Sequence, residues 1–177
     1  MMPEPFLDQA LLKTLLHYDP DTGDWRWHVR TDVYQRWNTR YAGKIAGYDW
    51  KVPNSKMVYR SIRIFDWPFL AHRLAVLYMT GVWPPNDTDH EDRDGLNNRW
   101  TNLRCATKAQ NSANAGPTSK NKTGFRGVSF HKGRYRATLK GRWLGSHETP
   151  EGSARLYDEA NRKLFGAFAR PQVEVKL

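Results

Sequence analysis

Between Asn111 and Gly124 the chain reads NSANAGPTSKNKTG, fourteen residues without one large apolar side chain. A run of this kind has nothing to bury, and its Gly and Pro favour loop conformations. It therefore divides the 177-residue chain into two segments that must each build a core, and we place the linker at 116–121. The length fits two small domains. With 39% hydrophobic residues, 13% aromatics and eight Trp, both segments have enough apolar surface to fold, which excludes general disorder.

The formal net charge is +10, a sign and size that point to a polyanion, either nucleic acid or an anionic membrane. The longest apolar run, WPFLAHRLAVLYMTGVW, is broken by His72 and Arg73 and is too short to span a bilayer, so no membrane role is expected. The start, MMPEPFLDQALLK, lacks a basic n-region and carries Glu4 and Asp8, unlike a secretory signal. A lone cysteine, Cys105, excludes an internal disulfide and a structural zinc built on several Cys ligands; it fits a reducing cytoplasm and reads as a core residue.

Periodicity outlines the elements. Residues 5–17 place Phe6, Leu7, Ala10, Leu11 and Leu15 at helical spacing, and YDPDTG (18–23) reads as a turn. DWRWHVR and VYRSIRIF (58–65) alternate as strands do, and FLAHRLAVLYMTG (69–81) has the period of a buried helix ending at Gly81. Beyond the linker, GFRGVSFH, RYRATLK and RWLGSH are three short strands joined by turns at Gly133 and Gly141, an antiparallel meander. Within RYRATLK, Tyr135, Ala137 and Leu139 face one way; Arg134, Arg136, Thr138 and Lys140 face the other. Thr149 caps a following helix with Pro150 at its first position, Ala154, Tyr157, Ala160 and Leu164 as its apolar stripe and Gly166 at its end. The fold class is α+β.

Residues 89–111, DHEDRDGLNNRWTNLRCATKAQN, open with four acids in six residues, after which no Asp or Glu occurs from Gly95 to His147 while eleven Lys/Arg do. Carboxylates beside a polyanion-holding surface repel the ligand unless a cation stands between them. A metal nuclease needs a hard cation with oxygen ligands and a general base titrating near neutrality, for which His is the natural choice. Asp89 and His90 are adjacent, so they share a site only where a strand bends or ends. Asn102 lies on WTNLRCAT, read as a returning strand, and Asn111 on TKAQNSAN, read as a short helix. Asn98, Asp92 and Asp94 read as loop-shaping residues, His72 as packed, and Arg73 and Arg104 as phosphate-binding candidates.

The series DH, NNRWTNLR and N at these spacings resembles the HNH endonucleases with a ββα-metal finger, nearest the phage and intron-encoded, homing-type group whose last position is Asn. YDPDTGDWRW and AHRLAVLYMTG resemble the amino-terminal half of those enzymes, and residues 124–169 resemble an AP2 DNA-binding domain; together the resemblances cover most of residues 12–170. They imply an HNH nuclease domain at 1–115 with its metal motif at about 86–115, and an AP2-like domain at 122–170 made of a three-stranded sheet and one helix. By position, the resemblance makes Asp89 and Asn111 metal ligands, His90 the general base and Asn102 the residue that hydrogen-bonds its imidazole. The implied products are a 5′-phosphate and a 3′-hydroxyl. Many relatives carry four zinc-binding cysteines, and many have His at the final position. Their absence here favours Mg²⁺, with Mn²⁺ as its equivalent, over zinc.

The same resemblance places Arg126, Thr138, Lys140 and Trp143 on the DNA face, with Arg134 and Arg136 joining them by alternation. Period two groups Arg126 with Val128 and Phe130, which ought to be core, so a bulge at Gly127 is required. The implied function is a metal-dependent endonuclease on double-stranded DNA, with one active site per chain and hence one nick per monomer; a double-strand break needs a dimer or two events. Two rivals stand beside it: a non-catalytic DNA-binding regulator with a decayed nuclease half, and an RNA-binding or RNA-cleaving module, for which the sheet offers few aromatics to stack on splayed bases.

Overall fold

The structure, a computed structural model, describes residues 6–173 apart from 54, 56 and 119. The chain divides into two compact units, 1–105 and 106–177. The architecture is α+β, with several small antiparallel sheets.

In the first unit the Asp8 carboxylate accepts from the Leu11 amide at 2.7 Å and starts helix α1 (Gln9–Leu15). Because α1 begins only at Gln9, its buried stripe is Leu12 and Leu15 with Leu7 ahead of it, whereas Phe6 and Ala10 are exposed. Strand β1 (Leu16–Tyr18) leaves α1 directly and pairs antiparallel with β2 (Trp25–Trp27). Helix α2 (Gln35–Tyr41) and strand β3 (Tyr48–Lys51) fill a stretch that carries no clear period. Strands β3, β4 (Val58–Ile64) and β5 (Trp67–Leu70) form an antiparallel sheet in that order. Helix α3 (Ala71–Thr80) follows without a loop and stops where Gly81 takes φ 78°, as its sequence predicts. Leu12, Leu16, Trp25, Ile62, Leu74 and Leu77 meet in one core, each with at most 1% of its surface exposed. Strand β6 (Asp87–His90), a 3₁₀ turn (Trp100–Asn102) and strand β7 (Leu103–Ala106) come next, and β6 pairs with β7. Asn102 thus stands in the turn before the returning strand, and not in the strand.

The second unit opens with α4 (Lys108–Asn114), whose start is a capping box between Thr107 and Gln110. Strands β8 (Val128–His131), β9 (Arg134–Leu139) and β10 (Arg142–His147) form the expected meander, and α5 (Pro150–Phe165) packs on one face of it. The Thr149 cap, Pro150 at the first position and the stop at Gly166 all match the sequence reading. The buried stripe of α5 is Ser153, Ala154, Tyr157 and Asn161; Leu164 is 55% exposed and Ala160 only half-buried. Polar stripe residues are accommodated by hydrogen bonds: Ser153 donates to the Tyr135 carbonyl (2.7 Å) and Asn161 to the Ala113 carbonyl (3.1 Å).

The two units part at Cys105 and Ala106, ahead of the 116–121 run read as a linker. The reason is Arg126, whose guanidinium donates to the Ser112 and Ala115 carbonyls and to Ser112 Oγ, tying the end of α4 to the sheet. Arg126 lies before β8, so no bulge is needed to re-aim it; the ladder irregularity falls between Trp143 and Gly145 instead. Gly127 has a different role. At φ 72°, a Cβ on it would stand 2.3 Å from the Tyr157 ring, so only glycine fits. Phe130, expected in the core, is 62% exposed and touches Tyr135 at the sheet edge.

Candidate active site

Strand β6 ends at His90, which lets the backbone turn and allows Asp89 and His90 to be buried together, each 4% exposed. A buried carboxylate needs a compensating charge. Arg104 on β7 provides it: Nε donates to Asp89 Oδ2 at 2.8 Å, and Nη2 lies 2.8 Å from the same oxygen. Glu91 stands 4.0 Å from the other side of that guanidinium. Arg104, read as a phosphate contact, therefore faces the carboxylate read as a metal ligand.

His90 Nε2 is 3.2 Å from Asn98 Oδ1, while Asn98 Nδ2 donates to the Leu96 carbonyl at 3.1 Å. That second bond orients the amide, so an acceptor faces the imidazole and the hydrogen is assigned to Nε2. In the neutral ring this puts the basic lone pair on Nδ1. Burial lowers the His90 pKa below the ordinary histidine value, against the opposing pull of the Asn98 hydrogen bond and of Asp92, Asp89 and Asp94. His90 is thus neutral at neutral pH, the form a proton acceptor needs. His72 packs edge-on against it, ring centroids 4.9 Å apart, and Tyr59 lies against both rings. Burial, then the neighbouring His90 and Arg73, drive the His72 pKa down to about 3, so this packed histidine is uncharged.

Asn102 does not hold the imidazole. Its Nδ2 donates to Asp92 Oδ1 (2.9 Å) and the Asn97 carbonyl (2.8 Å), and its Oδ1 accepts from the Asp92 amide (3.1 Å). Asn102 closes the loop on which Asn98 stands, and its effect on His90 runs through that loop. Burial pushes Asp92 up, but hydrogen bonds from Asn97, the Asp94 amide and Asn102 outweigh it and keep the carboxyl below its usual range. Two glycines let the loop sit tightly. A Cβ on Gly95 would lie 2.3 Å from the Val58 carbonyl, and one on Gly23 2.5 Å from the Asn98 backbone. The Tyr18 hydroxyl then donates to the Asn98 carbonyl at 2.6 Å. The YDPDTG turn of the sequence is therefore a prop for the loop that aims Asn98. Asn98, read as a loop residue, is the direct partner of His90; its adjacency to Asn97 in sequence conceals which of the two turns inward.

Arg73 donates to the Asn86 and Pro84 carbonyls and steadies the approach to β6. Cys105, expected in the core, is exposed. Asn111 lies on α4 in the second unit. Among the described residues no three His, Cys, Asp or Glu side chains cluster as a metal set, and no helix is long and apolar enough to cross a membrane.

On the second unit, Arg134, Arg136 and Trp143 line an open hollow of about 390 Å³ with His131, Lys132 and Ser146, on the face of the sheet away from α5. Thr138 pairs with Trp143 across the ladder. Lys140 leaves the alternation: it sits at φ 49° in the two-residue turn after β9, with Nζ 5.0 Å from the Phe165 ring of the helix side.

An uncharacterized HNH endonuclease of Acanthamoeba polyphaga mimivirus is 40% identical over 94 residues, 49% of this chain and 48% of that protein. The chain spans about half the length of that curated relative. No solved structure matches. Residues 69–113, the stretch that carries Asp89, His90, Asn98, Asn102, Arg104 and Asn111, match the HNH endonuclease family model, so this segment is similar to a nuclease centre.

Proposed function

We propose that the chain is a metal-dependent endonuclease that hydrolyses phosphodiester bonds of double-stranded DNA, one strand per active site, with the AP2-like sheet at 122–170 as its anchor. The observation that carries this reading is the buried Asp89–His90 pair at the end of β6, inside the segment similar to HNH endonucleases, with His90 held neutral. Asp89 would hold the cation; Asn111, the other ligand that the resemblance implies, belongs to the second unit. One carboxylate and one amide oxygen suit Mg²⁺ or Mn²⁺, which keep several waters and take the rest of their ligands from substrate phosphate. Asp89 Oδ2 already faces the Arg104 guanidinium at 2.8 Å, so a cation on this carboxylate would compete with that arginine for the oxygen. When bound, the cation supplies charge stabilisation at the phosphate and at the departing oxygen.

The rest of the chemistry belongs to the chain. His90 accepts a proton from the attacking water as its oxygen bonds to phosphorus, and the P–O3′ bond breaks to leave a 5′-phosphate and a 3′-oxyanion, which takes a proton from solvent to become the 3′-hydroxyl. Asn98 fixes the imidazole, and Asn102 with Asp92 fixes Asn98. Arg134, Arg136, Thr138 and Trp143 form the duplex-holding face; Arg126 and Lys140, proposed contacts by resemblance, have structural partners in this arrangement. The test is nicking of supercoiled plasmid with Mg²⁺ and with EDTA. Mg²⁺-dependent nicking that disappears in His90→Ala supports the reading; binding without cleavage by the native chain returns the choice to the non-catalytic regulator.

A further inference from the structure

The first unit contains a second hollow, of about 580 Å³, whose walls include Trp27, Trp37, Tyr41, Tyr48 and Phe65. Trp27 and Trp37 meet edge to face at 5.3 Å, and Tyr41 lies 5.1 Å from Trp37. The Arg30 guanidinium lies over both Trp37 and Phe65, at 5.3 and 5.5 Å, with its charge answered by Asp32 and only 11% of its side chain exposed. The lining is therefore aromatic and nearly neutral, with Arg63 and Asp66 both present on it. The surroundings are not neutral: from Trp25 to Trp67 the sequence has nine Lys/Arg and three Asp.

An independent observation concerns Phe65. It and Asp66 form the two-residue turn between β4 and β5, with φ of 47° and 66°. Such a turn favours Asn-Gly, and the comparable turns in the second unit, Lys132–Gly133 and Lys140–Gly141, each have glycine second. Here Asp66 tolerates the left-handed region but Phe65 does not, and a bulky aromatic is held on the rim in a backbone region that costs stability. Phe65 remains 40% exposed, so the strain is not compensated by full burial.

We propose that this hollow receives one unpaired nucleobase of the DNA, flanked by phosphates on the exposed cations of the same unit. The proposal rests on the endonuclease reading for its substrate but concerns binding, not cleavage. A neutral aromatic cleft takes the uncharged base, while the basic rim suits the backbone; aromatic faces hold bases by stacking whatever their identity. A base inside an intact duplex cannot enter, so the preferred substrate carries a bulged or displaced nucleotide.

The test measures affinity of the full chain in EDTA for a duplex with one bulged nucleotide, for the same bulge made abasic, and for the fully paired duplex. The base-bearing bulge should bind on the order of 10-fold tighter than the abasic one. Tyr41→Ala and the double variant Phe65→Asn/Asp66→Gly should each bring that ratio to about 1–2 and leave paired-duplex affinity unchanged. The double variant should also melt no lower than the native chain, because it relieves the turn. Trp143→Ala, on the other unit, should leave the ratio intact. Equal affinity for the two bulges, a ratio that survives both substitutions, or tighter binding of the same bulge in RNA overturns the proposal. Absence of Mg²⁺-dependent nicking would remove the endonuclease reading without altering this ratio, so the two fail separately.

Discussion

Arg104 Nε donates to Asp89 Oδ2 at 2.8 Å, and the two side chains are 18% and 4% exposed. Removing one member of a buried pair leaves the other charge uncompensated, at a cost of about 3–5 kcal/mol. Arg104→Ala is therefore expected to lower the melting temperature in EDTA. Added Mg²⁺ should recover more stability in the variant than in the native chain, because the cation returns a positive charge to the same carboxylate. Thermal melts of both proteins with and without Mg²⁺ check this; an identical Mg²⁺ response would contradict a shared oxygen.

His90→Ala should lower nicking by about 10²–10⁴-fold with DNA affinity retained. Asn98→Ala has a sharper signature. Its hydrogen bond holds the His90 pKa up against burial, so its loss moves that pKa further down. A general base acts deprotonated, hence the acid limb of the pH–rate profile should shift to lower pH as the maximum rate falls. The profile of Asn98→Ala beside the native one decides; a shift to higher pH would contradict the hydrogen bond.

Asn102→Ala acts on the loop rather than on the imidazole. Activity should fall less than in His90→Ala, with a lower melting temperature and an acid limb that moves less than in Asn98→Ala. An Asn102→Ala profile that shifts like that of Asn98→Ala would restore a direct bond to His90.

His72 is neutral in the fold, with a pKa near 3, and returns to the ordinary 6.5 when unfolded. The unfolded chain then binds the extra proton below about pH 6.5, so this contribution to stability is present above that pH and is lost as pH falls towards 3. The slope for one proton is about 1.4 kcal/mol per pH unit. Denaturant melts between pH 7 and 5 should show a loss that is one proton shallower in His72→Phe. Parallel pH dependence in both proteins would mean that His72 is charged in the fold.

Arg134 and Arg136 point from β9 into one open hollow, whereas Lys140 turns towards Phe165. If the sheet holds duplex DNA, replacing both arginines by Ala should flatten the slope of log affinity against log salt by about 0.9 for each phosphate no longer neutralised. Lys140→Ala should leave the slope within error. A salt titration of each variant reads this directly, and an unchanged slope in the arginine pair would put the DNA on another face.

Sequence by itself determined what depends on near neighbours. Period and capping located α3 up to Gly81, α5 from Thr149 to Gly166 and the meander with its Gly133 and Gly141 turns, because helix and strand periods and turn dihedrals are local quantities. The adjacency of Asp89 and His90, and the need for a strand end there, were equally readable. What no local pattern carries is the choice among chemically similar partners. Asn98 and Asn102 both accept and donate; the fit of the loop around Gly95 and Gly23 and the Tyr18 hydroxyl give the imidazole to Asn98 and the loop to Asn102. Arg104, Arg126 and Lys140 are cations that suit phosphate equally well on paper. Tertiary packing gives the first to a buried carboxylate, the second to the carbonyls that end α4, and the third to an aromatic ring. A long flexible side chain goes where burial leaves an opposite charge or an open acceptor, and the rest of the fold sets that place.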